Sequence, residues 1–175
     1  MKKTLSGLIS ATLLLACAAQ AEDTSATIDI NGVLKDAEFS CSVTLSESSV
    51  SILDRADTII KQGENATFPV TIHATVNGGE KCDELVAQGK MFYWFEGTAD
   101  NSDGTVLANY LTDETAAKGV GIGIFDRDNK PLAVNKGILQ ANTDTVFGLQ
   151  MVQLSNQEPV AGNINSTVTV QIERL

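Results

Sequence analysis

The chain is poor in the residues that carry most protein chemistry. It has one histidine (His73), one tryptophan (Trp94) and three cysteines among 175 residues. A lone histidine with no CxxC spacing offers no ligand set for a metal. A Ser-His-Asp arrangement would have to use His73, which an alternating pattern points to solvent, and no GxSxG elbow is present. Bases are scarce too: 12 Lys and Arg stand against 22 Asp and Glu, for a net charge of −10. Nucleic acids and anionic membrane surfaces both reward Lys and Arg, so neither is an expected partner. The glycines at 119, 121 and 123 precede no helical pattern, which argues against a phosphate cradle. Packing against a large neighbour accounts for them better. Residues 126–130 (DRDNK) have the look of a calcium loop, but Lys130 holds a ligand position and no glycine follows. There is no internal repeat, low-complexity tract or interdomain linker. The expectation is a protein without catalytic centre, cofactor, metal or small-molecule substrate.

The one sustained apolar run is an address. Lys2 and Lys3 open it, residues 5–16 are mostly apolar, and Ala19-Gln20-Ala21 supplies a small-x-small cleavage signal. Residues 1–21 therefore read as a signal peptide, with the mature chain beginning at Glu22. The run is too short for a lasting membrane anchor. A rival reading takes Leu14-Leu15-Ala16-Cys17 as a lipoprotein box with a lipid on Cys17, although Leu15 fits that box poorly. Cleavage after Ala21 leaves 154 residues, with 10 basic and 22 acidic side chains and a net charge of −12. That length makes one domain with a real core.

Cys41 and Cys82 survive cleavage. An isolated pair in an exported protein forms one disulfide, and two cysteines allow no other intramolecular pairing. Closing a loop of about 40 residues stabilises by roughly 4 kcal/mol in the chain-entropy model.

The rest reads as short strands split by turns. Residues 28–34, 39–45, 68–76, 90–96, 120–124, 145–154 and 164–172 carry strand patterns. In 68–76, Phe68, Val70, Ile72, Ala74 and Val76 face in, against Pro69, Thr71, His73 and Thr75. Asn77-Gly78-Gly79 then turns the chain. KMFYWFE (residues 90–96) is apolar on both faces, as in a central sandwich strand. It could also be a sugar-binding platform, but a core strand with Trp94 near the disulfide is the simpler account. In the last strand Ile164, Val168, Val170 and Ile172 share a face opposite Asn165, Thr167, Thr169 and Gln171. Residues 113–118 suggest a short helical turn. About seven strands and no convincing long helix predict an all-β, immunoglobulin-like antiparallel β-sandwich.

Two segments at opposite ends then stand out. SATIDINGVL, near the mature start, alternates ahead of the first disulfide cysteine. INSTVTVQIERL alternates up to the last residue. The chain resembles the pilin domains of chaperone–usher fimbriae, especially the minor or adaptor subunits of type 1-like pili. The resemblance runs over the whole mature sequence and rests on pieces in order. These are an extension ending Asn31-Gly32-Val33-Leu34, then Cys41-Ser42-Val43, Lys81-Cys82-Asp83, a strand ending Phe95-Glu96-Gly97, GVGIGIFDRDNKPL and PVAGNINSTVTVQIERL. Gly162, fourteen residues from the end, matches a glycine of the family pattern. Arg174 departs from it, standing where the family favours a penultimate tyrosine.

The resemblance implies a sandwich that lacks its last strand and is completed by donor-strand exchange. Residues 22–34 would be the donor extension running into the first strand, and 35–175 the pilin domain. Ala26, Ile28, Ile30, Gly32 and Leu34 would enter a neighbour's groove. Taken alone, Asn31-Gly32 reads first as a turn. Gly162, Ile164, Val168, Val170 and Ile172 would line this chain's own acceptor groove. The implied partners are a periplasmic pilus chaperone, an outer-membrane usher and neighbouring subunits, and the implied destination is a fimbrium on the cell surface. Two alternatives differ in class. One is a complete soluble sandwich that binds a ligand, as a free protein or a lipoprotein. The other is a one-domain adhesin whose loops, such as residues 99–104, contact a glycan.

Overall fold

The computed structural model describes residues 39–175. The signal peptide and the donor extension read from the sequence lie outside the described residues. Ten strands and one helix are described. One sheet runs in the order β1 (Ser42–Leu45), β3 (Val70–Asn77), β9 (Thr145–Gln153), β6 (Val120–Phe125) and β5 (Leu107–Ala108). The short β2 (Ile60–Lys61) adds to β9 in parallel, and β7 (Pro131–Leu132) adds to β6. The second sheet has three strands, with β4 (Met91–Gly97) between β10 (Val168–Arg174) and β8 (Ile138–Gln140). All its pairings are antiparallel. The result is the immunoglobulin-like β-sandwich that the alternating patterns predict.

The core lies between the sheets. Met91, Tyr93 and Phe95 project from β4 onto Ile72, Ala74, Phe147, Leu149, Ile122 and Ile124 of the larger sheet. Phe95 meets Phe147 edge to face, with centroids 5.0 Å apart and ring planes at 64°; this geometry suits the aromatic quadrupoles. A smaller apolar cluster of Phe125, Val152, Val106, Leu154 and Ala66 completes the burial of β6. Gly123 of β6 leaves room for the Phe125 ring, whose atoms lie 2.7 Å from where a Cβ would stand.

Several expectations need correction. Phe68 is not a core residue: it is 89% exposed. The N–H groups of Thr67 and Phe68 both donate to Gln150 Oε1, and the strand starts only at Val70, so the pleat does not reach Phe68. Trp94 lies opposite the core face, since Met91, Tyr93 and Phe95 take the inward parity. Its lateral neighbours are Gln171 and Ile138. Residues 113–118 form a turn instead of a helix, held by the Asp113 carboxylate accepting from the Thr115 N–H at 2.8 Å. The helix is α1 (Glu80–Ala87), and it follows the glycine turn directly. Glu80 and Asp83 sit in its first turn, where the helix dipole favours acid. The four further strands, β2, β5, β7 and β8, are two or three residues long, too short to show a period.

Candidate functional site

The site is a cleft between the beginning and the end of the described chain. One wall is the end of β1 at Leu45 and the segment after it, residues 46–59, which forms no strand. The other wall is residues 159–168, the approach to β10. The floor comes from the large sheet: Ile72, Phe147, Leu149, Leu107, Ile122, Val120 and Met151. Three hollows of about 340, 260 and 260 Å³ follow one another along it. The first and second share Val50, Leu149, Asn165, Ser166 and Val168. The second and third share Ile52 and Ile164. The lining is apolar or neutral apart from Glu47 and Asp54.

Both walls carry apolar side chains that their own chain leaves half-covered. Val43, Leu45, Val50 and Ile52 are half-buried on one side, and Ile164, Val168, Val170 and Ile172 on the other. All pack against the core without joining its fully buried set. The backbone agrees. β10 is bonded to β4 along one edge only among the described residues, and β1 to β3 along one edge only. A seven-residue strand with one apolar face and a free edge is a template for another strand.

The far wall is held rigidly. Gly162 passes so close to residues 115–117 that a Cβ would lie 2.5 Å from Ala117 N and 2.6 Å from Thr115 O. No other residue fits there without moving backbone. Asn163 N–H donates to Thr115 O, and Asn163 O accepts from Ala117 N–H. Asn165 N–H donates to Asn109 Oδ1 at 3.0 Å, and the Ser166 hydroxyl donates to Ala108 O. The Asn163 N–H and C=O and the Asn165 N–H are thereby bonded to residues 109–117 and not to β4. The last strand accordingly begins at Val168 and not at 164, and its pairing with β4 carries it on to Arg174, opposite Met91.

Toward the disulfide the cleft gives way to direct contact. Arg174 lies over the Phe39 ring at 4.7 Å and Lys81 approaches the same ring at 5.3 Å. Each such contact is worth about 0.5–1 kcal/mol when exposed. Leu175 N–H donates to Lys90 O at 3.0 Å. The departure at position 174 thus finds a partner within the chain. Cys41 and Cys82 are bonded, with Cα atoms 5.9 Å apart, and join the entry to β1 to α1. Gly78 makes this possible at φ +142°, where a Cβ would fall 2.4 Å from Cys82 Sγ.

Of the residues singled out from the sequence, Gly162, Ile164 and Val168 line the cleft. Val170 and Ile172 continue the same inward face toward Phe39. Ala26, Ile28, Ile30, Gly32 and Leu34 lie outside the described residues. Sequence reasoning missed the near wall, although Val50 and Ile52 alternate with Ser49 and Ser51. It also missed Asp100. That carboxylate is buried, accepts from the N–H groups of Ser102 and Thr105 at 2.8 Å and Val106 at 3.0 Å, and bonds Gln62 Nε2. Burial pushes its pKa up, but the backbone donors overcome this and hold it below the usual carboxylate range. It ties the 99–105 loop down. His73 is exposed and pairs with Asp144 at 2.9 Å.

The comparisons with known proteins agree with this geometry. The family model described as fimbrial protein matches residues 17–173. The long polar fimbria protein A of Salmonella typhimurium is 30% identical over 139 residues, covering 78% of this chain and 74% of that protein. The crystal structure of the P pilus rod subunit PapA superposes with a TM-score of 0.56 at 14% identity, covering 85% of this chain and 99% of that one. This likeness is one of fold. The chain belongs to the fimbrial protein family, and it is a structural subunit of a fimbrium.

Proposed function

We propose that the cleft is an acceptor for an extended segment of a neighbouring subunit, and that residues 22–34 are the segment this chain donates in turn. The observation that carries the reading is the coincidence of half-covered apolar walls with two free strand edges along one cleft. An added strand supplies backbone partners and side chains together. Covering four half-buried aliphatic side chains yields about 3–6 kcal/mol, half the gain of full burial. A whole domain is stable by only about 5–15 kcal/mol, so occupancy of the cleft decides how durable the fold is.

Beside β10 the inserted strand runs antiparallel, as every pairing in that sheet does. Alternate residues enter the cleft, so Ala26, Ile28, Ile30 and Leu34 bring side chains and Gly32 brings none. Giving one strand and taking another makes a head-to-tail contact that does not close on itself, which builds a filament. A chaperone in the periplasm fills the cleft before assembly, and an usher in the outer membrane passes the subunit to the surface. The subunit works by binding and not by catalysis.

Ile28→Asp tests this. A carboxylate forced into an apolar cleft is costly. The variant should end filaments, because it accepts a neighbour's strand but gives none that holds. Filaments of normal length and yield from this variant, seen by electron microscopy, would refute the proposal.

A further inference from the structure

β4 turns Met91, Tyr93 and Phe95 into the core, which leaves Phe92, Trp94 and Glu96 on the outside of the small sheet. The register sets their neighbours. Gln171 and Ile138 flank Trp94, and Glu173 stands opposite Phe92. Phe92 and Trp94 are half-buried, and Ile138 is 47% exposed. Three large apolar side chains thus lie together in reach of water, on hydrogen-bonded strands.

Charge decides what suits this face. None of the eight outward positions in the three strands is Lys or Arg, and two are Glu. The first base along the row, Lys90, stands beyond Phe92, at the end away from Glu96. Glu96 follows Trp94 along its strand and Glu173 is diagonal to it, so both reach a group lying on the indole. Neither carboxylate has a cationic partner among the described residues. Gln171 Nε2 donates to one oxygen of Glu96 and leaves the other open. The described cations that do lie over a ring, Lys81 and Arg174, both meet Phe39. Trp94, the ring type that attracts a cation best, has none among the described residues. A second copy of this chain is a poor occupant, because each mature chain carries a net charge of −12 and like charges across an interface repel.

We propose that the outer face of the small sheet docks a basic segment of a partner protein, with an arginine or lysine over Trp94 between Glu96 and Glu173. Ring quadrupole and carboxylates attract the same charge, so the two contacts act together. A strand inserted beside β10 extends this sheet and leaves its outer face open. The surface is therefore separate from the cleft, and the proposal does not depend on strand donation.

The test uses the mature full-length chain and a tetra-arginine peptide. Trp94 is the only tryptophan, so its emission reports docking on this face directly. The peptide should shift that emission and saturate. E96Q/E173Q should weaken binding roughly tenfold. E114Q/D128N removes the same charge at exposed positions elsewhere and should weaken it by less than about twofold. Trp94→Ala, followed by anisotropy of a labelled peptide, should weaken it about fivefold. Equal weakening by the two charge-removing pairs overturns the proposal, because the attraction is then to net charge alone. Binding that leaves Trp94 emission unmoved also overturns it, since the peptide then sits elsewhere. A neutral sugar, cellotriose, that shifts the emission while the peptide does not would make the face a sugar platform and not a basic dock. Absence of any peptide binding overturns the proposal outright and leaves strand donation standing.

Discussion

β6 and β10 both turn aliphatic side chains into one sandwich, yet they end in different states. All six residues of β6 are buried, and it is bonded to β9 on one side and to β5 and β7 on the other. β10 alternates as cleanly, but its inward Val168, Val170 and Ile172 stay half-buried, and one of its edges is free. The inward side chains of both are aliphatic, so their hydrophobicity does not explain why only one set is fully covered. The difference lies in what the rest of the chain provides beside each strand. The complete side makes a durable core, and the incomplete side leaves a place for another molecule.

The sharpest way to test this contrast is to cut one methyl-rich side chain from each strand. Ile124→Ala should cost about 2–5 kcal/mol in chemical denaturation, with or without a peptide in the cleft, because its surroundings are complete already. A penalty that depends on the peptide would blur the distinction. Gly162→Val comes next. Its side chain would strike the backbone of residues 115–117, so it should cost about 2–4 kcal/mol and abolish peptide binding. A crystal structure of that variant with an unmoved wall would break the account of the cleft's rigidity.

Asp100→Asn probes the loop on the complete side. It replaces an acceptor of three backbone N–H groups and should cost about 1–3 kcal/mol at neutral pH. The carboxyl's pKa is lowered in the folded chain. Its contribution is therefore full above the unfolded value of about 3.9 and fades as pH falls through the folded one. The gap in melting temperature between the two proteins should narrow on acidification; a gap constant down to strong acid would contradict the assignment. Val170→Ala has the smallest effect. It should cost about 1 kcal/mol in the free chain and roughly 2 kcal/mol once a strand covers it. Equal costs in both states would place Val170 outside the completed core.

How much of this was legible follows from the same physics. The long strands showed themselves because period-two alternation is a local signal: Ile72 and Ala74, or Val168 and Val170, declare a face without reference to anything distant. Cys41 and Cys82 were readable by count. α1 was not read, since the glycine pair before it has the form of a hairpin turn and only Cys82, Leu85 and Val86 give it a buried side. Phe68 misled because Gln150, 82 residues away, captures its N–H. The near wall of the cleft was missed for a related reason. Val50 and Ile52 alternate like a strand but pair with none among the described strands, and an unpaired strand pattern has no local mark to set it apart. Gly162 was noticed by resemblance, while its cause, the backbone at residues 115–117, exists only in the folded chain.

Amide hydrogen exchange along β10 tests the central claim most directly. In the mature chain alone, the β10 amides that point away from β4 should exchange fast, while those of β6 are protected. Adding a peptide of residues 22–34 should protect β10 and leave β6 unchanged. Uniform protection of β10 in the lone chain, with no response to the peptide, would show that the sandwich completes itself and would contradict the account.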